Sequence, residues 1–221
     1  ITSKDSLENL AYKLASTSFQ MNTHAIGDDA NKAVLEAYNK ALVFSDDPRW
    51  RIEHAQIIDT SDIKLFNRKI IPSVQPTHAT SDMYWAEDRL GKKRLQGAYA
   101  YKLLLEKSGR ISLGTDFPVE NVSPIKTFFS AVFREDSNLY PEDGYLPNNK
   151  LSKLEALKGM TIWGAYSNFE ERQKGSIEVG KAADFVILDR DLLDESKKRI
   201  LNAKIVATIL DGNIVYSNRI N

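Results

Sequence analysis

Hydrophobic positions along the chain alternate between helical and strand spacing, and that alternation predicts an α/β fold. Leu7, Leu10, Ala11, Leu14 and Ala15 share one face of a helix running from residue 3, because positions three and four apart stack on one side. Residues 19–23, in which Phe19 and Met21 alternate with polar positions, predict a short first strand that ends at His24. Gly27, Asp28 and Asp29 then open a helix whose face carries Ala33, Val34, Ala37, Tyr38 and Ala41, the acids being suited to its N-terminus. Asp46, Asp47 and Pro48 end it. Residues 50–52 predict a second strand, closing on Glu53 and His54, followed by a helix over 60–68. A third strand over 70–74 runs into Gln75, Pro76, Thr77 and His78, and then into a polar and aromatic loop over 80–90. A helix over 95–107, stopped by Gly109, leads to a fourth strand at 111–113 that ends on Gly114, Thr115 and Asp116.

Local signals mark the remaining elements. Ser123 before Pro124 is a helix start, with Ile125, Phe128, Phe129, Val132 and Phe133 on the apolar face, because proline suits the first helical position after a serine cap. Ser152 and Glu155 form a capping box for one more helix. Four short strands alternating with helices predict a parallel sheet with right-handed crossovers. Beyond about Gly175 the spacing changes: a strand at 185–188 precedes runs at 205–210 and 214–216 joined by Asp211 and Gly212. Asp-Gly between β-branched runs is a strong hairpin signal, so the tail is expected to form a separate antiparallel unit.

Composition narrows function rather than fold. Thirty Lys and Arg cancel thirty Asp and Glu, which leaves no net field to attract nucleic acid or an anionic membrane surface. No apolar run approaches the roughly 20 residues needed to cross a bilayer. The chain lacks cysteine, so disulfides and thiolate metal sites are excluded, and a metal would rest on His and carboxylate. Helical spacing close behind Ile1 predicts a start inside a domain and leaves localisation open.

The three histidines, His24, His54 and His78, all fall where a predicted strand ends, and Asp116 closes the fourth strand. Taken singly, a strand-end His is more often a hydrogen-bonded core residue, and Asp116 after Gly114 and Thr115 serves equally as a turn cap. Together they occupy matching positions on successive strands, whose C-terminal ends converge on one mouth in a (β/α)8 barrel. Imidazole nitrogen and carboxylate oxygen suit zinc and neighbouring divalent metals, which lower the pKa of bound water toward neutrality. The pattern therefore predicts metal-assisted hydrolysis.

Six runs carry a resemblance. His24-Ala25-Ile26-Gly27-Asp28, Arg51-Ile52-Glu53-His54-Ala55-Gln56 and Gly114-Thr115-Asp116-Phe117-Pro118-Val119 resemble the fifth-, sixth- and eighth-strand motifs of the amidohydrolase superfamily, family 3 branch. Ser73 to His78, Asp82 to Gly91, and Gly175 to Lys181 with Ala183 and Asp184 are similar to that branch too, in the same order. The resemblance implies the C-terminal half of a TIM (β/α)8 barrel, strands five to eight, over 1–172, followed by a small antiparallel β-sandwich segment over 173–221. It also implies hydrolysis of an amide, N-acyl, N-formyl or cyclic amide C–N bond in a small-molecule substrate.

By the same resemblance His24 and His54 are metal ligands, and Asp116 contacts the metal and passes a proton from the bridging water to the leaving amine. His78 takes a substrate or oxyanion contact, with a loop-fixing hydrogen bond as its equal alternative. The cofactor is one or two divalent cations, zinc foremost. Residues 80–90 have the composition of a pocket wall, so Trp85 and Arg89 are expected to touch substrate, although Arg89 could instead pair with Asp88. Strand alternation turns Glu53 away from His54 and toward the helix layer, partnered by Arg51. The first-strand His-x-His pair and the fourth-strand Lys or Glu of the superfamily have no counterpart in the chain. That predicts an inactive fragment which self-associates or pairs with a missing N-terminal half. A non-catalytic binding or regulatory protein is the alternative, and deaminase, isomerase or decarboxylase chemistry on the same scaffold is a third reading.

Overall fold

The computed structural model describes residues 2–218; the last three residues of the predicted tail lie outside it. Strands β1 (Asn22–Ala25), β2 (Trp50–His54), β3 (Ile70–Val74) and β4 (Ser112–Leu113) form a parallel sheet in chain order. Strands β5 (Phe185–Leu188), β6 (Ile205–Leu210) and β7 (Asn213–Ser217) form an antiparallel one. Helix α1 (Lys4–Ala15) packs on α2 (Asp28–Ala41), the crossover between β1 and β2. No helix among the described residues is long and apolar enough to cross a membrane.

Helix α2 shows how sequence sets the sheet geometry. Its Tyr38 ring meets Trp50 edge-on at 4.8 Å, and the buried Tyr38 hydroxyl donates toward the Met21 and Arg51 carbonyls at 3.2 Å. Seven residues earlier on the same helix, the Asn31 side-chain amide lies 3.0–3.2 Å from the carbonyls of Ala25, Ile26, Gly27 and Ile57. One helix thus pins β1 and β2 together at both ends. Trp50 and Ile52 are buried beneath it, and each contributes about 2 kcal/mol by leaving water.

Three sequence expectations are corrected. Residues 60–68 form only a single helical turn, Ile63–Leu65, because side chains compete for the backbone. Asp59 accepts from the Ser61 amide at 2.9 Å and Asn67 from the Lys69 amide at 2.9 Å. The loop expected over 80–90 is instead α3 (Pro76–Asp82) followed by α4 (Ala86–Leu95), which kinks at Gly91, where φ is 71°. The helix expected from 95 begins only at Tyr101, as α5 (Tyr101–Ser108). Residues 97 and 98 are taken up in pairing with 57 and 58, including an Ile58 N–H donating to the Gly97 carbonyl at 3.0 Å.

The caps fall where the residue types place them. Gly109 is left-handed at the end of α5. Ser123 caps α6 (Pro124–Phe133), and Ser152 and Glu155 form the capping box of α7 (Lys153–Met160). Helix α8 (Ile162–Ser167) follows. The tail contains a helix that its spacing did not signal, α9 (Lys197–Leu201), which buries Ile200 and pairs Lys197 with the buried Glu135 at 3.0 Å.

Candidate metal centre

Because β1, β2 and β4 run parallel, they carry His24, His54 and Asp116 to one end of the sheet. His78 reaches the same place differently. It lies within the first turn of α3, which starts at Pro76 just beyond β3, rather than at a strand end. His54, His78 and Asp116 each place a ligand atom within 4.8 Å of the others. His78 Nε2 is 3.5 Å from Asp116 Oδ2; two ligands each about 2.1 Å from a tetrahedral cation are about 3.4 Å apart. The His54 and His78 rings stack with centroids 5.7 Å apart, and His24 meets His54 edge-on at 4.5 Å. The trio with ligand atoms mutually within 4.8 Å includes His78, and His24, which the resemblance gave as a ligand, adjoins it against His54.

Glu120, which the motifs did not single out, orients His78. Its Oε1 lies 3.0 Å from His78 Nδ1 and also accepts from the Ser81 hydroxyl at 2.5 Å. A carboxylate on Nδ1–H leaves Nε2 with its lone pair toward Asp116, the arrangement that steers imidazole ligands in metal sites. Glu120 follows Asp116 by four residues, and nothing in that spacing marks it.

Burial depresses the His54 pKa below the ordinary histidine value, with the neighbouring His24 pushing the same way. A neutral imidazole is the form that binds metal. Its Nδ1 is buried and has no hydrogen-bond partner, which is unusual for a buried polar atom. An orphaned nitrogen, an oriented Nε2 and a carboxylate with its side chain 38% exposed form a donor set that fits a divalent cation.

The backbone is strained at the same places. His54, Ala55 and Asp116 are left-handed, with φ of 72°, 43° and 57°, a conformation that non-glycine residues adopt at a cost and that clusters at functional sites. In β2 the strain redirects a side chain. Trp50 packs on Tyr38 of α2, so Glu53 lies on the face away from that helix, paired with Arg51 at 3.0 Å. The expectation that Glu53 points into the helix layer is overturned, although Arg51 is its partner. Plain alternation would put His54 on the Trp50 face; the left-handed turn brings it to His24 and His78 instead.

Of the residues expected to line a substrate wall, Trp85 is about half exposed just before α4 and Arg89 is exposed in that helix. Neither hydrogen-bonds to the trio, and no Asp88–Arg89 ion pair forms among the described residues. Their neighbour Tyr84 lines a cavity of about 280 Å³ together with Thr77, Ser81 and Glu120.

A parallel α/β sheet whose strand ends gather histidines and an aspartate defines a metal-dependent hydrolase type of site. The chain belongs to the Amidohydrolase family, whose model matches residues 1–216. It is 34% identical over 215 residues to the putative amidohydrolase YtcJ of Bacillus subtilis (strain 168), covering 96% of this chain and 40% of that protein. It is 28% identical over 221 residues to the N-substituted formamide deformylase of Arthrobacter pascens, covering 97% and 40%. A crystal structure of an uncharacterized metal-dependent hydrolase from Pyrococcus furiosus superposes with a TM-score of 0.74 at 28% identity, over 88% of this chain and 38% of that one. The chain spans 36–40% of the length of the curated relatives it matches over nearly its whole extent.

Proposed function

We propose that the chain supplies part of the active site of a divalent-metal-dependent hydrolase that cleaves a C–N bond, in an amide, N-acyl, N-formyl or cyclic amide, of a small molecule. In this reading it is the C-terminal half of a TIM barrel, strands five to eight, and the rest of the parent protein completes the centre. The chain then self-associates or pairs with that other half. The observation that carries the reading is the trio of His54, His78 and Asp116, with ligand atoms within 4.8 Å of one another. Membership of the Amidohydrolase family and the deformylase relative support the C–N bond as the target.

His54, His78 and Asp116, with His24 adjoining, would hold the cation. When bound, the cation, zinc foremost, supplies hydroxide near neutral pH and polarises the substrate carbonyl. The chain's own groups do the rest. Asp116, partly open to solvent, takes a proton from the attacking water and returns it to the departing nitrogen. Glu120 keeps the His78 ring turned so that Nε2 faces the site. His54, desolvated and neutral, resists protonation that would release a ligand. Trp85 and Arg89 border the substrate's approach.

The test is metal analysis of the full-length parent, followed by a panel of amides, N-formyl amines and N-acyl amino acids, with His54→Ala and Asp116→Asn as controls. Stoichiometric metal and turnover lost in both variants are expected. A full-length protein that holds no stoichiometric metal would replace this reading with a binding or regulatory role on the same fold.

A further inference from the structure

The strained turn that presents His54 needs neighbours to hold it, and the nearest ones converge on a single carboxylate oxygen. Immediately after the left-handed pair His54 and Ala55, the Gln56 carbonyl accepts the Tyr99 N–H at 2.7 Å. The Gln56 side-chain amide donates to Asp82 Oδ2 at 3.0 Å, and the Tyr99 hydroxyl donates to the same oxygen at 2.7 Å. Gln56 and Tyr99 are buried. Asp82 is the last residue of α3 and lies one turn beyond His78 on that helix. One oxygen therefore ties the segment after His54 to the helix that carries His78. Burial holds the Asp82 carboxyl above the usual carboxylate range, while the Tyr99 hydroxyl bond pulls it back. Asp82 is not within the trio and has no place in the chemistry above.

We propose that Asp82 is a positioning residue for the metal centre: by gripping Gln56 and Tyr99 it sets the separation of His54 from His78. The inference rests on the reading of that trio as a cation site. A side chain that only stabilised the fold would alter melting without altering cation affinity in the folded protein. One that sets ligand spacing alters affinity and ligand-field geometry together, and its effect is restored by any residue that rebuilds the two bonds.

The experiment titrates Co2+ into the metal-free full-length parent by calorimetry while recording its visible d–d absorption, with far-ultraviolet circular dichroism as the check on folding. Asp82→Ala is expected to weaken Co2+ binding roughly 10–100-fold, the range seen when groups that orient ligands are removed, and to shift the d–d bands. Asp82→Asn keeps an oxygen for Gln56 and Tyr99 and is expected to return affinity to within roughly threefold of wild type. Tyr99→Phe, which removes one bond and keeps the ring, decides the matter if Asp82→Ala does not fold, and is expected to weaken binding severalfold. Unchanged affinity in folded Asp82→Ala or in Tyr99→Phe overturns the proposal. So does Asp82→Asn binding as weakly as Asp82→Ala, because the effect would then belong to charge and not to position. Failure of the wild-type full-length parent to bind Co2+ at all would defeat the metal-centre reading itself and take this inference with it, an outcome distinct from equal binding by all variants.

Discussion

Replacing Asn31 with alanine removes one fully buried side-chain amide that lies 3.0–3.2 Å from four carbonyls. Two of those acceptors are insured: Ile26 also receives the Ile57 N–H, and Gly27 the Asn31 N–H, each at 2.9 Å. The loss therefore falls on the carbonyls of Ala25 and Ile57, which lie just beyond His24 and His54. Stripping a buried acceptor of its donor costs about 1–3 kcal/mol, so with two acceptors stripped Asn31→Ala should lose about 2–6 kcal/mol. For a chain of this size each kcal/mol lowers Tm by about 2–4 °C, which places the expected fall at roughly 4–24 °C. Thermal melting followed by circular dichroism, supported by urea titration, measures it. Asn31→Leu separates the causes, since it fills the space without donating and should melt as low as the alanine variant. A fall of less than about 2 °C in Asn31→Ala, or recovery in Asn31→Leu, would refute the hydrogen-bonding account and leave packing in its place.

Other consequences are as direct. Glu120→Ala frees the His78 ring and should weaken Zn2+ or Co2+ binding roughly 10–100-fold by calorimetry; wild-type affinity would contradict the pairing at Nδ1. Arg49, packed between Tyr166 and Phe169 and bonded to Asp47 and Glu171, should cost about 2–4 kcal/mol on mutation to alanine, through lost packing and lost pairing. Its hydrogen bonds hold Asp47 and Glu171 below the usual carboxylate range. That stabilisation is present above the unfolded-state pKa of about 4 and lost as pH falls. The stability gap between wild type and Arg49→Ala should therefore narrow in acid, and a gap equal at neutral and acid pH in urea titrations would sink the assignment. In Gly97→Ala the new Cβ would run into the Ile58 backbone carbonyl, where neither strand nor side chain can yield, so a loss of about 3 kcal/mol is expected. A wild-type melting curve would show that the 57–58 and 97–98 pairing is looser than its geometry.

Residue pattern alone settled whatever depends on neighbours three or four positions away. Strands Ile70–Val74 and Phe185–Leu188, the serine caps at Ser123 and Ser152, the glycine stop at Gly109 and the turn at Asp211 and Gly212 all follow from spacing and backbone preference. The parallel order of the first four strands follows from their alternation with helices. Tertiary structure decided the rest, because it turned on partners far apart in the chain. Asn31 meets Ile57 across 26 positions, Tyr99 meets Asp82 across 17, and Glu120 meets His78 across 42. No local period encodes such pairs. Side-chain competition shortened the helix expected at 60–68, and the pairing of 97 with 58 delayed the one expected at 95. The left-handed turn at His54 likewise overrode strand alternation, and it is followed at once by Gln56, whose partners Tyr99 and Asp82 lie far along the chain.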